Sequence, residues 1–255
     1  MSKTPLATAA LILMTAAGAT VGARAVAEVG AEVGPARAEG ASPVVLELYT
    51  SQGCSSCPAA DALLEELADQ PGLLPLALHV DYWDYIGWAD TFAHPGFTDR
   101  QKAYARAAGE RMIYTPQMIV AGVARVEGND ATAVAEAIRA AQPDRPGPDL
   151  AITREGEALR IRVAEWPEAA NAPLKLQLVR FQPKAVVEIA HGENAGKTVT
   201  YRNIVTDWQA LSDWPGTPPL DLLVPSPGTD PLAVLLQSPG PTGGPGAILA
   251  AARLN

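Results

Sequence analysis

Cysteine is scarce in this sequence, since 255 residues contain only Cys54 and Cys57. A secreted chain that depends on a disulfide framework spreads an even set of cysteines along its length, where they close long loops. The only possible intramolecular bridge here closes a very short loop, which contributes little stabilising entropy. The pair therefore has a weak structural rationale, and a reactive role is favoured.

Histidine and several enzyme motifs are also scarce or missing. The chain has three histidines, His79, His94 and His191, and no second cysteine pair, which argues against a four-ligand zinc site. It contains no phosphate-binding glycine-rich loop, no serine nucleophile elbow and no zinc-protease helix motif. Internal repeats and heptads are absent from the sequence as well. These absences leave the cysteine pair as the feature that carries chemistry.

The first residues are typical of a secretory signal peptide. Lys3 supplies a short basic region, Leu6–Ala19 an apolar stretch, and small residues around Ala25 a cleavage site. We therefore predict a signal peptide over residues 1–25, a flexible leader over 26–42, and a periplasmic or secreted location. A membrane anchor is the alternative, although the apolar stretch is shorter than the roughly 20 residues of a spanning helix.

Acidic residues outnumber basic ones. The chain has 19 Lys and Arg against 28 Asp and Glu, for a net charge of −9. Cleavage after residue 25 would remove Lys3 and Arg24 but no acid, leaving 17 basic side chains and a net charge of −11. Such a chain repels nucleic acid and anionic membrane surfaces. We therefore predict no nucleic-acid partner, and no membrane association after cleavage.

A βαβ unit is predicted around the cysteine pair. The apolar runs Val44–Tyr49 and Leu73–Val80 predict two buried strands. Pro58 suits the first turn of a helix between them, and Pro71 with Gly72 ends that helix. The elements predicted next are a helix over Thr98–Ala108, an antiparallel pair of Gln117–Ala121 with Val123–Val126, and a helix from Asp130 to Ala141.

The composition changes after Ala141. Residues 143–148 have the composition of a linker, and 15 of the 23 prolines lie from Pro143 onward, which argues against a helical second domain. Short apolar runs alternate there with turns, a pattern typical of an antiparallel sandwich or barrel. We therefore predict an α/β domain over 43–142 and a β-rich, sandwich-like domain over 149–255. The runs are Leu159–Val163, Leu174–Phe181, Val186–Ala190, Thr198–Val205 and Leu232–Gln237.

The position of Cys54-Ser55-Ser56-Cys57 between a strand and a helix suggests its chemistry. Free backbone N–H groups and the helix dipole stabilise a thiolate at a helix N-terminus. A thiolate is the nucleophile in disulfide exchange, and a cysteine one turn later resolves the mixed disulfide. We predict that Cys54 is the accessible nucleophile and Cys57 the shielded, resolving thiol. A purely structural bridge and a copper site of Cys54, Cys57 and His79 remain alternatives.

An aromatic segment, 81–96, follows the second predicted strand. Functional residues gather at the carboxyl ends of the strands in an open parallel sheet, so this segment should lie beside the cysteines. We predict that Asp81, Trp83 and Asp84 bind or select a partner, with either acid adjusting a thiol pKa or relaying protons. The alternative is that the aromatic residues are core. We interpret His94 and Arg100 as surface residues, and residues 191–196 as a hairpin turn.

Three stretches resemble the signature of a family of bacterial secreted proteins known as domain of unknown function 1223: Leu48–Pro58, His79–Tyr85 and Tyr114–Met118. The order of strand, C-x-x-C at a helix start, strand and Thr-Pro before a hairpin also resembles the thioredoxin fold. The resemblance implies an α/β thioredoxin-like domain with an aromatic-rich insertion, in which Thr115 and Pro116 form a cis-proline loop beside the cysteines. Ser-Ser in place of Gly-Pro between the cysteines departs from thioredoxin itself.

Together these features predict an exported thiol–disulfide oxidoreductase. Its catalytic residues would be Cys54, Cys57 and Pro116, and Thr115 would join Asp81, Trp83 and Asp84 as a binding residue. Its partners would be protein or small-molecule thiols and disulfides, and it would need no cofactor. The alternative is a non-catalytic module that binds a metal or a protein on the same scaffold.

Overall fold

Strands are the main regular element of the computed structural model, which describes residues 42–141 and 147–255. The predicted signal peptide, nearly all of the predicted leader and most of the predicted linker lie outside these residues. No helix of the described ranges is long and apolar enough to cross a membrane. In chain order the elements are β1 (Val44–Thr50), α1 (Pro58–Ala68), β2 (Leu73–His79), α2 (Pro95–Ala107), β3 (Gln117–Val120), β4 (Ala124–Glu127), α3 (Ala131–Ala140), β5 (Leu150–Glu155), β6 (Ala158–Val163), β7 (Leu174–Glu188), β8 (Thr198–Trp214), β9 (Leu220–Pro225), β10 (Leu232–Pro239) and β11 (Pro245–Leu254).

Eight of these strands form one sheet, in the order β11-β10-β7-β8-β2-β1-β3-β4. β1 and β2 are parallel, with Thr50 opposite His79, and β3 and β4 continue the sheet in antiparallel fashion. On the other side, β2 meets β8 through the pair Ala77 and Ile204. The three remaining strands form a separate sheet in the order β5-β6-β9. The chain is thus a mixed α/β protein built on a large β-sheet.

Side chains on the two faces of β1 enter different layers of the core, as the two-residue period of a strand requires. Leu46 and Leu48 pack with α1 and α3. Val45 and Tyr49 pack with α2, in a layer that also contains Phe181 and other residues from the strands after 147. The opposite face of those later strands packs against the three-stranded sheet. The domain limits stay predictions, but sheet and core both continue across the predicted boundary.

The observed elements match the predicted ones more closely before residue 142 than after residue 147. The runs Leu174–Phe181 and Val186–Ala190 were predicted as two strands, but β7 is a single strand that passes through Pro183 and pairs with β8 along its length. Three strands were not predicted: β5, β9 and β11. β11 is rich in alanine and glycine, which have low strand propensity, and it is held by its pairing with β10.

Candidate functional site

A disulfide joins Cys54 to Cys57 at the junction of β1 and α1, with the two Cα atoms 5.4 Å apart. The connecting turn is tight, because Cys54 N donates to Ser51 O (3.1 Å) and Cys57 N donates to Cys54 O (3.2 Å). Cys57 is the N-cap of α1, and Pro58 follows at the first helical position. The disulfide bond predicted from the sequence is therefore present, and it lies at a helix N-terminus.

Both cysteines are fully buried, at 0 % exposure, whereas the two serines between them are exposed. In this oxidised form neither cysteine is accessible, and the expectation that Cys54 is the accessible thiol of the reduced pair stays a prediction. Two other segments of the chain contact the turn. A Cβ atom at Gly53 would lie 3.2 Å from Trp83 Cβ, and Asn194 Nδ2 donates to Cys54 O at 2.8 Å.

A buried polar cluster lies beneath this turn and consists of Thr50, Asp61, His79 and Asp90; we call it the Asp61 cluster. Thr50 and His79 are register partners at the ends of β1 and β2. Asp61 lies one helical turn after Cys57, and its backbone N donates to Cys57 O at 3.0 Å. Side chains four residues apart in a helix share one face, so the Asp61 carboxyl group lies on the same side of α1 as Cys57.

Hydrogen bonds connect the cluster to the disulfide turn. Thr50 Oγ1 donates to Asp61 Oδ1 (2.8 Å), and His79 Nδ1 donates to Asp90 Oδ2 (2.7 Å). The same Asp90 oxygen accepts from the backbone N of Gln52 (2.8 Å). The cluster is therefore hydrogen-bonded to the backbone of Gln52, two residues before Cys54.

Two atoms of the Asp61 cluster are buried without a hydrogen-bond partner, namely Asp61 Oδ2 and His79 Nε2. Buried polar atoms are rarely left unpaired, and exceptions often mark functional sites. Burial raises the pKa of Asp61 to about 7, although nearby His79 and the hydrogen bond from Thr50 oppose part of this shift. Asp61 can therefore accept or release a proton near neutral pH within one turn of Cys57.

The aromatic segment provides one wall of the site. Trp83 Nε1 donates to Thr115 Oγ1 (2.7 Å), which brings together two of the predicted binding residues next to Gly53. The two acids predicted to bind a partner, Asp81 and Asp84, have other contacts. Asp81 Oδ1 accepts from the Thr98 hydroxyl on α2, and Asp84 Oδ1 accepts from the backbone N of Asp90 (3.0 Å).

Pro116 is buried, and the peptide bond between Thr115 and Pro116 is cis. A Cβ atom at Gly128 would lie 3.2 Å from Pro116 Cβ and 3.3 Å from Ala60 Cβ. Both residues therefore flank the same glycine, so the proline loop lies close to the first turn of α1, three residues beyond Cys57.

The alternative copper site of Cys54, Cys57 and His79 is not assembled in this structure. Both sulfur atoms are bonded to each other, and His79 is bonded to Asp90. Across residues 42–141 and 147–255, no group of three or more His, Cys, Asp and Glu side chains is arranged to hold a metal ion.

Sequence reasoning missed Asp61, Asp90 and Asn194. Only Asp61 had a readable signal, because it is an acid on the apolar face of α1 among Ala60 and Leu64. The interpretation of Arg100 as a surface residue is wrong, since its side chain is only 12 % exposed. Its Nε and Nη2 atoms donate to the two carboxylate oxygens of the buried Glu47. The helical spacing of Arg100 could not reveal that partner, which lies 53 residues away.

The fold and the site define a mixed α/β protein with one buried disulfide at the start of a helix. A sequence profile of the family described as protein of unknown function (DUF1223) matches residues 45–237, and the chain belongs to this family. A crystal structure of a protein from Agrobacterium tumefaciens is similar, with 31 % identity and a TM-score of 0.74 over 85 % of this chain and 96 % of that one.

HBP35 of Porphyromonas gingivalis is similar in fold alone, with 12 % identity and a TM-score of 0.59 over 85 % of this chain and 76 % of that one. A comparison with curated proteins gives no match.

Proposed function

We propose that the protein is an exported thiol–disulfide oxidoreductase that exchanges the Cys54–Cys57 disulfide with partner thiols. The observation that carries this proposal is the position of the disulfide, at the N-terminus of α1 and one turn before a buried acid whose pKa is near 7. A structural crosslink between residues three apart stabilises a fold very little and has no use for a titrating acid beneath it.

The topology supports a thioredoxin-like arrangement around this pair. In the part of the sheet ordered β2-β1-β3-β4, the first two strands are parallel and are joined through α1. The antiparallel hairpin of β3 and β4 follows the Thr115–Pro116 bond. Fold alone does not determine function, so the proposal depends on the cysteines and on the Asp61 cluster.

The exchange can be written with its electrons and protons balanced. A partner thiolate attacks Cys54 Sγ, a new disulfide forms between partner and Cys54, and the bond to Cys57 breaks. Cys57 Sγ leaves with the electron pair and takes a proton from Asp61, which becomes a carboxylate. A second partner thiol loses its proton to solvent, and the resulting thiolate attacks the partner's sulfur in the mixed disulfide. Cys54 leaves as a thiolate, so the protein gains two electrons and the partner is oxidised to a disulfide.

Single cysteine variants test this proposal. Cys57→Ser should accumulate a mixed disulfide at Cys54 when it is incubated with oxidised glutathione, because the resolving thiol is gone. Cys54→Ser should accumulate on the order of tenfold less, since we expect its remaining thiol, Cys57, to be the shielded member of the reduced pair. Intact mass spectrometry measures both adducts.

The same experiment separates the proposal from its rival. Equal or negligible adducts in both variants would contradict the oxidoreductase. Stoichiometric Cu(I) binding by the reduced wild type, without thiol exchange, would favour the metal-binding module.

A further inference from the structure

The loop between β7 and β8, residues 189–197, contributes one side chain to the disulfide site. Asn194 is 1 % exposed, whereas every other residue from 190 to 197 is exposed. Asn194 is thus the one buried residue between 190 and 197, and its amide needs a specific partner because an unpaired buried amide is costly.

The partners of Asn194 are the backbone of the disulfide turn. Its Nδ2 donates both hydrogens, to Gln52 O at 2.9 Å and to Cys54 O at 2.8 Å, across more than 130 residues of sequence. Its Oδ1 accepts from Lys197 Nζ at 2.8 Å. Both N–H groups of the amide thus fasten this exposed loop onto the turn, while its oxygen is bonded within the loop.

A second contact places the same loop on the aromatic wall. Gly192 lies against Trp88, so that a Cβ there would be 3.3 Å from Trp88 Cβ. Trp88 Nε1 in turn donates to Gln52 Oε1 at 2.7 Å. Gln52 is therefore held by its side chain from the aromatic segment and by its carbonyl group from Asn194.

These contacts bear on how a partner reaches the disulfide. Attack on Cys54 Sγ requires access to that sulfur, yet Cys54 has no exposed surface while the loop is fastened. Resting on the proposed exchange function, we propose that Asn194 is a positioning residue that latches the 189–197 loop onto the turn and shields Cys54. The fastened loop excludes the cysteines of a folded protein more strictly than it excludes small thiols, and release of the latch admits both.

The test measures how fast dithiothreitol reduces the disulfide in the native protein. One thiolate of dithiothreitol attacks Cys54 Sγ, Cys57 leaves as a thiolate, and the second thiol of the reagent closes its ring and releases Cys54. Asn194→Ala removes both hydrogen bonds, and Asn194→Asp keeps the shape of the side chain but cannot donate. Each should be reduced on the order of tenfold faster than wild type, since each buried hydrogen bond contributes about 1 kcal/mol.

Glu193→Ala is the matched control, because Glu193 is an exposed neighbour in the same loop. Its rate should stay within about twofold of wild type. Reduced thioredoxin serves as a bulky second reductant, and both Asn194 variants should gain more in rate with it than with dithiothreitol. Rates measured in low urea identify the route: release of one loop exposes little surface, so the rate should depend weakly on urea, whereas global unfolding gives a steep dependence.

The outcomes separate the latch from the proposed function. Equal reduction rates for wild type and both Asn194 variants would overturn the latch and leave the exchange reaction standing. A disulfide that resists both reductants in every variant until the protein is unfolded would overturn both. Faster reduction through a step that depends steeply on urea would also overturn the latch, because the variants would then be acting through global stability.

Discussion

Two buried polar clusters lie near the strand that leads to the disulfide, and they differ in how completely they are paired. In the first, which we call the Arg100 cluster, Arg100 binds Glu47 and is also bonded to Tyr104 and Gln237. None of the atoms of these four side chains is among the buried atoms without a partner in the described residues. The Asp61 cluster contains two such atoms.

The difference agrees with a structural role for the Arg100 cluster and with the role in exchange that we propose for the Asp61 cluster. Burial raises the pKa of Tyr104 well above its usual value, so this residue remains a neutral donor to Glu47 at 2.6 Å. Tyr104 therefore keeps its proton across the physiological range. The Asp61 cluster changes its charge near neutral pH, and it lies directly under the disulfide.

The largest expected effect comes from breaking the Arg100 cluster. Arg100→Ala leaves Glu47 as a buried, unpaired charge and removes a cation–π contact with Trp208 at 3.9 Å. We expect a loss of about 3–5 kcal/mol in the free energy of unfolding, measured by urea denaturation. Arg162→Ala, at an exposed ion pair with Asp221, should cost less than about 1 kcal/mol. A loss below about 1 kcal/mol for Arg100→Ala would contradict a stabilising role for the Arg100 cluster.

A smaller effect, but one with a distinctive pH dependence, is expected for Asp61→Asn. The pKa of Asp61 is about 7 in the folded protein and near 3.8 when exposed, so the folded state holds this proton more tightly. Stability contributed by the protonated acid is therefore lost as the pH rises from about 4 through 7, by up to about 4 kcal/mol. Asp61→Asn should remove this decline and be more stable than wild type above pH 7.

Urea denaturation of Asp61→Asn at pH 5, 7 and 8.5 measures this decline. Glu66→Gln on the exposed side of α1 is the control and should behave like wild type. If Asp61→Asn kept the pH dependence of wild type, Asp61 would not be the titrating group.

The smallest effect is expected for Thr50→Val, a nearly isosteric change that removes only the hydrogen bond from Thr50 to Asp61. The hydrogen bond from Thr50 lowers the pKa of Asp61. Its loss should therefore raise that pKa and extend the decline in stability to higher pH. At pH 5, where Asp61 is protonated, the cost should be about 1 kcal/mol. The same pH series of denaturation curves measures both quantities, and a decline that moves to lower pH would contradict the assigned contact.

The local elements around the cysteines could be predicted from the sequence, because strand, turn and helix there are encoded by neighbouring residues. Pro58 begins α1 as expected, and Asp130 caps α3 with bonds to the N–H groups of Thr132 and Ala133. The contact between Asn194 and the Cys54 carbonyl group could not be predicted, since the two residues lie 140 positions apart in the sequence. Long-range pairing of this kind leaves no periodic trace in a single sequence.

The ion pair of Glu47 also bears on strand register. Glu47 lies in the middle of β1, between Leu46 and Leu48, and its side chain faces α2 while theirs face α1 and α3. A slip of one residue along the sheet would exchange the two faces, bury the carboxylate among leucines and leave Arg100 without its partner. Glu47, the charged residue of this apolar strand, thus favours a single alignment of β1 against β2. That alignment sets Thr50 opposite His79 and brings the chain out of the sheet at the position from which Cys54 and Cys57 start the helix.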